Sequence, residues 1–126
     1  MDKLIILSIK NLKLFSYSSC ATCRKALKWL KSNDIVFELV DILNSPPSKE
    51  ILISASNQYG DRKYLLNTSG LIYRSIGSKA VKEMSDNQFF EKLFIEPRLI
   101  KRPFLYTPKS FFLVGFKEEK WAEKLL

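Results

Sequence analysis

Apolar and polar positions change period several times along the 126 residues. From Asn11 to Tyr17, Leu12, Leu14, Phe15 and Tyr17 fall close together, which predicts a first strand apolar on both faces. Ala26, Leu27, Trp29 and Leu30 then take helical spacing within Ala21 to Ser32, and Asn33-Asp34 supplies a stop. Ile35 to Val40 is rich in β-branched residues and predicts a second strand. Strand, helix and strand of these lengths imply a right-handed βαβ unit with parallel strands.

Asn44-Ser45-Pro46-Pro47 breaks that pattern and leads into a helix that Ser45 or Ser48 can cap. As far as Pro97 the chain then reads as short helical pieces. These are Glu50 to Gln58, Tyr64 to Leu66, Leu71 to Tyr73, Ala80-Val81 and an amphipathic run over Gln88 to Phe94 capped by Ser85-Asp86-Asn87. Gly60, Gly70 and Gly77 fit turns between them. Phe104 to Tyr106 and Phe111 to Val114 predict two short strands joined by a turn at Thr107-Pro108-Lys109-Ser110. Lys117 to Leu126 predicts a closing helix with Trp121, Ala122 and Leu125 on its apolar side.

Composition adds little to this picture, and charge somewhat more. The length fits one domain, and the apolar and charged fractions are ordinary for a globular chain. A net charge of +8 favours anionic partners, but the basic residues are spread out and form no block. Tyr59, Tyr64, Tyr73, Phe89 and Phe90 sit at core spacing, so direct nucleic-acid binding is not expected. The first nine or so residues, about 1–9, have a short apolar run beside Asp2 and lack a cleavage site. They read as an extension that neither directs secretion nor spans a membrane.

The cysteines change the picture most. Both lie in Ser18-Ser19-Cys20-Ala21-Thr22-Cys23-Arg24-Lys25, at the junction of the first strand and first helix. A Cys-x-x-Cys in that place reads as a redox site of the thioredoxin-like kind and points to a reducing, cytoplasmic setting. A helix that begins near Ala21 offers its unpaired N–H groups and positive dipole end to a Cys20 thiolate, with Arg24 and Lys25 a turn further on. Such surroundings lower a thiol from its free pKa of about 8.5, which makes Cys20 the nucleophile. Cys23, at i+3 on the same helical face, is close enough for a disulfide with Cα atoms about 5.5 Å apart and becomes the resolving thiol. A structural zinc site needs about four ligands, and with no histidine and no second cysteine pair no metal is expected. A pair of inert cysteines is the plain alternative.

Four segments in order carry a resemblance to the arsenate reductase C (ArsC)/Spx/MgsR family, in its Cys-x-x-Cys branch. They are Cys20 to Lys25, Asn67-Thr68-Ser69-Gly70-Leu71-Ile72-Tyr73-Arg74, Leu99-Ile100-Lys101-Arg102-Pro103-Phe104 and Leu113-Val114-Gly115-Phe116-Lys117-Glu118-Glu119. The resemblance implies an α/β, thioredoxin-like core: a mixed four-stranded sheet with flanking helices over about 11–43 and 98–126. An all-helical insert would occupy about 44–97 within a single domain, and the protein would be a monomer. It also implies that Cys20 attacks a disulfide or oxyanion and that Arg102 faces it, binding an anion and favouring the thiolate. The Arg102–Pro103 bond is expected to be cis. Arg24, Arg74 and Pro103 join Arg102 as candidate anion- or substrate-binding residues. Glutathione-dependent members carry a serine where Cys23 stands, and two further arginines at places that fall here near Asn67 and Gly115. The activity implied is that of a thiol–disulfide oxidoreductase related to arsenate reductase. It has no bound cofactor and uses glutathione, glutaredoxin or thioredoxin as electron donor. The alternative is a redox-switched regulator of the Spx type that binds the C-terminal domain of RNA polymerase α.

Overall fold

Leu12 and Leu14 point to one side of the first strand and Phe15 to the other, and the sheet grows around that strand. The structure, a computed structural model, describes residues 11–107 and 111–126. The extension over about 1–9 and the centre of the turn at Thr107-Pro108-Lys109-Ser110 lie outside the described residues. The described chain divides into two compact units, one made of the N-terminal part to Asp41 with Arg102–Leu126, the other of Ile42–Lys101.

The first unit holds β1 (Lys13–Ser16), α1 (Ala21–Ser32), β2 (Glu38–Asp41), β3 (Phe104–Thr107), β4 (Phe111–Val114) and α6 (Glu118–Leu125). The strand order is β2-β1-β3-β4. β1 runs parallel to β2, with Ser16 opposite Asp41. It runs antiparallel to β3, which in turn pairs antiparallel with β4. This is the mixed four-stranded, thioredoxin-like sheet. Leu14, Leu105 and Leu113 line up across three strands and bury one face with Leu12, Ala26, Leu30, Trp121 and Leu125. Trp121 meets Trp29 and Phe116 edge to face, and its indole N–H donates to the Gly115 carbonyl at 3.0 Å. A buried indole thus fills the core without leaving its polar atom unpaired. The other face carries the edge-to-face ring contacts of Phe104 with Phe15 and Phe112.

Strand β2 is shorter than the run Ile35 to Val40 predicts. Asp34 takes a left-handed φ of 55°, and the Ile35 amide bonds back to the Leu30 carbonyl. Ile35 to Phe37 are therefore spent leaving the helix, and the ladder begins where the Glu38 amide reaches the Leu12 carbonyl. Val36 is 87% exposed in consequence.

The second unit is helical. It contains α2 (Lys49–Tyr59), a 3₁₀ turn at Arg62–Leu65, α3 (Leu71–Ile76), α4 (Ser78–Glu83), α5 (Asp86–Ile95) and a 3₁₀ turn at Pro97–Leu99. Of the two candidate caps for α2, Ser48 fills the role, its hydroxyl accepting from the Ile51 amide at 3.2 Å. Gly60 ends that helix at φ 83°, a left-handed conformation that glycine adopts without a Cβ penalty. Leu52, Ala55, Leu65, Val81, Phe89, Phe90, Leu93 and Leu99 are buried.

Arg62 staples this unit. It donates to the Met84 carbonyl at 2.7 Å, to the Val81 carbonyl at 3.3 Å and to Asp86 at 2.8 Å, with its guanidinium over the Phe89 ring. It thereby closes the carbonyl end of α4 and ties it to the first turn of α5. Among the described residues no helix is long and apolar enough to cross a membrane.

Candidate active site

The redox pair sits where β1 gives way to α1. Beyond Ser16 the chain leaves the ladder and turns, with the Cys20 amide bonded to the Tyr17 carbonyl at 3.0 Å. Cys20 keeps an extended backbone while its carbonyl already accepts the first helical bond, from Arg24. It is the N-cap of α1, and its sulfur accepts from the Cys23 amide at 3.4 Å. The side chain that usually satisfies an orphan helix donor is an oxygen, and here it is the nucleophile itself. The first turn of α1 carries no acidic residue to compete for the positive end of the helix.

The two thiols are pushed apart electrostatically. Partial burial acts to raise Cys20, but the Cys23 thiol, the Cys23 amide and the Arg102 guanidinium outweigh it and hold Cys20 below its ordinary value. Cys23 is raised, first by burial and then by the adjacent Cys20, against weaker opposing hydrogen bonds from the Tyr17 amide and Ser16 hydroxyl. Cys23 is 1% exposed, whereas Cys20 is partly open. Both are free thiols. One thiol is thus partly open with its ionisation favoured, and its neighbour is buried with its ionisation opposed.

Arg102 reaches this pair from the start of β3, its guanidinium lying over the Tyr17 ring at 5.3 Å. The Arg102–Pro103 bond is cis, and the Pro103 carbonyl accepts from the Gly115 amide at 2.8 Å. The other two candidate arginines are occupied elsewhere. Arg24 donates to the Ser18 carbonyl at 2.9 Å, and the cation acting on Cys20 is Arg102. Arg74 belongs to the helical unit, where its guanidinium donates to the Ser69 carbonyl at 3.1 Å at the head of α3. Asn67 bonds to the Arg98 carbonyl and Ser69 amide, and Gly115 takes a φ of 75°. Among the described residues no group of three or more His, Cys, Asp or Glu could hold a metal ion.

Sequence reasoning missed Ser16. It lies at the end of β1 after Leu14 and Phe15, is 9% exposed, and its hydroxyl is a hydrogen-bond partner of the Cys23 thiol. With Cys23, Arg24, Leu27, Leu39 and Asp41 it lines a cavity of about 510 Å³. The available signal was a small polar residue in place of an aliphatic one, in register with an acid on β2.

Known proteins match this arrangement over nearly its whole length. Residues 15–124 match the model of the ArsC family. The chain is 39% identical over 115 residues to the uncharacterized protein YusI of Bacillus subtilis, covering 90% of this chain and 97% of that one. It is 30% identical over 108 residues to the global transcriptional regulator Spx of Streptococcus agalactiae, covering 85% and 77%. A crystal structure described as a putative ArsC family related protein from Bacteroides fragilis superimposes with a TM-score of 0.82. It is 33% identical and covers 92% of this chain and 98% of that one.

Proposed function

The chain belongs to the ArsC family, and from that membership we propose that it is a thiol–disulfide oxidoreductase working through Cys20 and Cys23. The observation that carries the reading is the placement of the two thiols, Cys20 partly open as the N-cap of α1 with its sulfur on the Cys23 amide, and Cys23 buried one turn on; Arg102 lowers the first and burial raises the second. Cys20 thiolate attacks a substrate disulfide, one substrate sulfur leaves as a thiolate, and a mixed disulfide remains. Cys23 then attacks Cys20, forming the Cys20–Cys23 disulfide and releasing the second substrate sulfur. The substrate gains two electrons and the cysteine pair loses two. Glutathione, glutaredoxin or thioredoxin in the cytoplasm restores the dithiol.

A disulfide suits the site better than arsenate does. The places where the resemblance puts two further arginines fall near Asn67, tied into its own turn, and Gly115, neither of which is cationic. Each missing charge-assisted pair costs about 1.5–3 kcal/mol of oxyanion binding.

The test is NADPH-coupled turnover with a model disulfide or arsenate as acceptor and each reductant in turn. Turnover on disulfides that disappears in Cys20→Ser supports the reading, and turnover unchanged in Cys20→Ser sinks it. The likeness to Spx favours a second reading, a redox-switched regulator that docks on the C-terminal domain of RNA polymerase α. Ready disulfide formation without turnover, together with redox-dependent binding of that domain, would select it.

A further inference from the structure

Resolution poses a problem at Cys23 that attack does not pose at Cys20. The resolving sulfur is buried, and its neighbour Cys20 opposes its ionisation while that thiol is free. Once Cys20 is capped in a mixed disulfide, that opposition ends and the other polar groups beside Cys23 matter. The Tyr17 amide and Ser16 hydroxyl touch its sulfur. The charged groups of the adjoining cavity are Arg24 from α1 and Asp41 from β2, both exposed, and Tyr17 is its other titratable neighbour. Arg102 acts on Cys20 from the bend just before β3. Ser16 is the one side-chain donor among these that both contacts the Cys23 thiol and borders the cavity.

From this geometry we infer that Ser16 is the positioning residue of the resolving step, its hydroxyl holding the Cys23 sulfur while the thiol proton leaves to water in the cavity. The inference rests on the reading of Cys23 as the resolving thiol. In the step itself the Cys23 S–H bond breaks and its proton passes to cavity water. Ser16 Oγ–H donates to the sulfur as charge develops there, and a hydrogen bond to the charged form favours ionisation. The thiolate attacks Cys20 Sγ, the Cys20–Cys23 bond forms, and the bond from Cys20 to substrate breaks. The substrate sulfur leaves as a thiolate and takes a proton from water.

Reduced full-length protein mixed rapidly with dithiobis-nitrobenzoate, an aromatic disulfide, separates the two steps. The first thionitrobenzoate released reports attack by Cys20 and checks the fold, and the second reports resolution by Cys23. Ser16→Ala is expected to keep the first release and to slow the second about tenfold at neutral pH, the loss of one hydrogen bond to a charged group. The pH midpoint of the second release moves upward, and Ser16→Thr restores both. Should alanine loosen β1, Ser16→Thr against Ser16→Val makes the same comparison between near-isosteres that differ in the hydroxyl. A second release with the same rate and midpoint in Ser16→Ala and wild type overturns the inference. Equal slowing by threonine and valine does so too, since packing would then be the cause. If the wild type gives the first release and never the second, Cys23 does not resolve, and the oxidoreductase reading fails with it.

Discussion

Helix α1 and helix α5 begin in the same way and for opposite ends. Each has an extended N-cap whose side chain accepts from the amide three residues on, Cys20 Sγ from Cys23 at 3.4 Å and Ser85 Oγ from Gln88 at 3.1 Å. At α5 the Gln88 side chain returns the bond by accepting from the Ser85 amide at 2.9 Å, and Asp86 adds an acid to the first turn. That is a complete capping box, built for stability. At α1 there is no return bond and no acid, although α2, α5 and α6 all carry acids in their first turns. A weaker acceptor has been placed there and its positive surroundings left uncompensated, which favours an anion on sulfur. A helix N-terminus can thus hold the chain together or hold a charge ready, and the residues of one turn decide which.

Exchanging the caps tests this most severely. Cys20→Ser is expected to abolish the first thionitrobenzoate release while the fold stays as stable or gains a few tenths of a kcal/mol in urea unfolding, because serine is the better cap. Removing the second source of positive charge comes next. Arg102→Met should move the pH midpoint of Cys20 alkylation by iodoacetamide upward and slow alkylation at neutral pH about tenfold, with less thiolate present. The structural cap should fail in a different currency. Ser85→Ala is expected to cost about 1 kcal/mol in chemical denaturation and to leave the Cys20 midpoint in place. The smallest effect is the most telling: Thr22→Glu puts an acid into the first turn of α1. It should stabilise the helix by about 0.3–1 kcal/mol in thermal unfolding and yet raise the Cys20 midpoint, so that stability and reactivity move in opposite directions.

Local patterns made much of this legible. The turn after β1, the start of α1 at Ala21, the capping of α5 by Ser85 and the two last strands all announce themselves within a few residues. The start of strand β2 did not, because β-branched residues at Ile35 and Val36 report propensity, while the ladder starts only after the helix exit has been completed. Arg62 was equally hidden. Its partners are carbonyls at the end of a helix about twenty residues further on, and no spacing in the sequence marks their convergence. Arg24 shows the reverse error: charge close in sequence to Cys20 suggests charge acting on it, whereas the helix directs that guanidinium to Ser18 and leaves the task to Arg102. Ser16 was missed because a serine at the end of a short strand looks like a tolerated polar position until the sulfur beside it is seen.

Gly115 bears on what this protein could become. Its amide and carbonyl are both engaged, by Pro103 and by the Trp121 indole, and its φ of 75° lies where side chains other than glycine are strained. Glycine and arginine codons differ by a single nucleotide, so the genetic route to a guanidinium at this position is short. The conformational route costs more, because an L-residue at this left-handed φ is strained by roughly 1–2 kcal/mol in a turn whose amide and carbonyl are already committed. A guanidinium is therefore introduced at lower conformational cost elsewhere in the chain than at this turn.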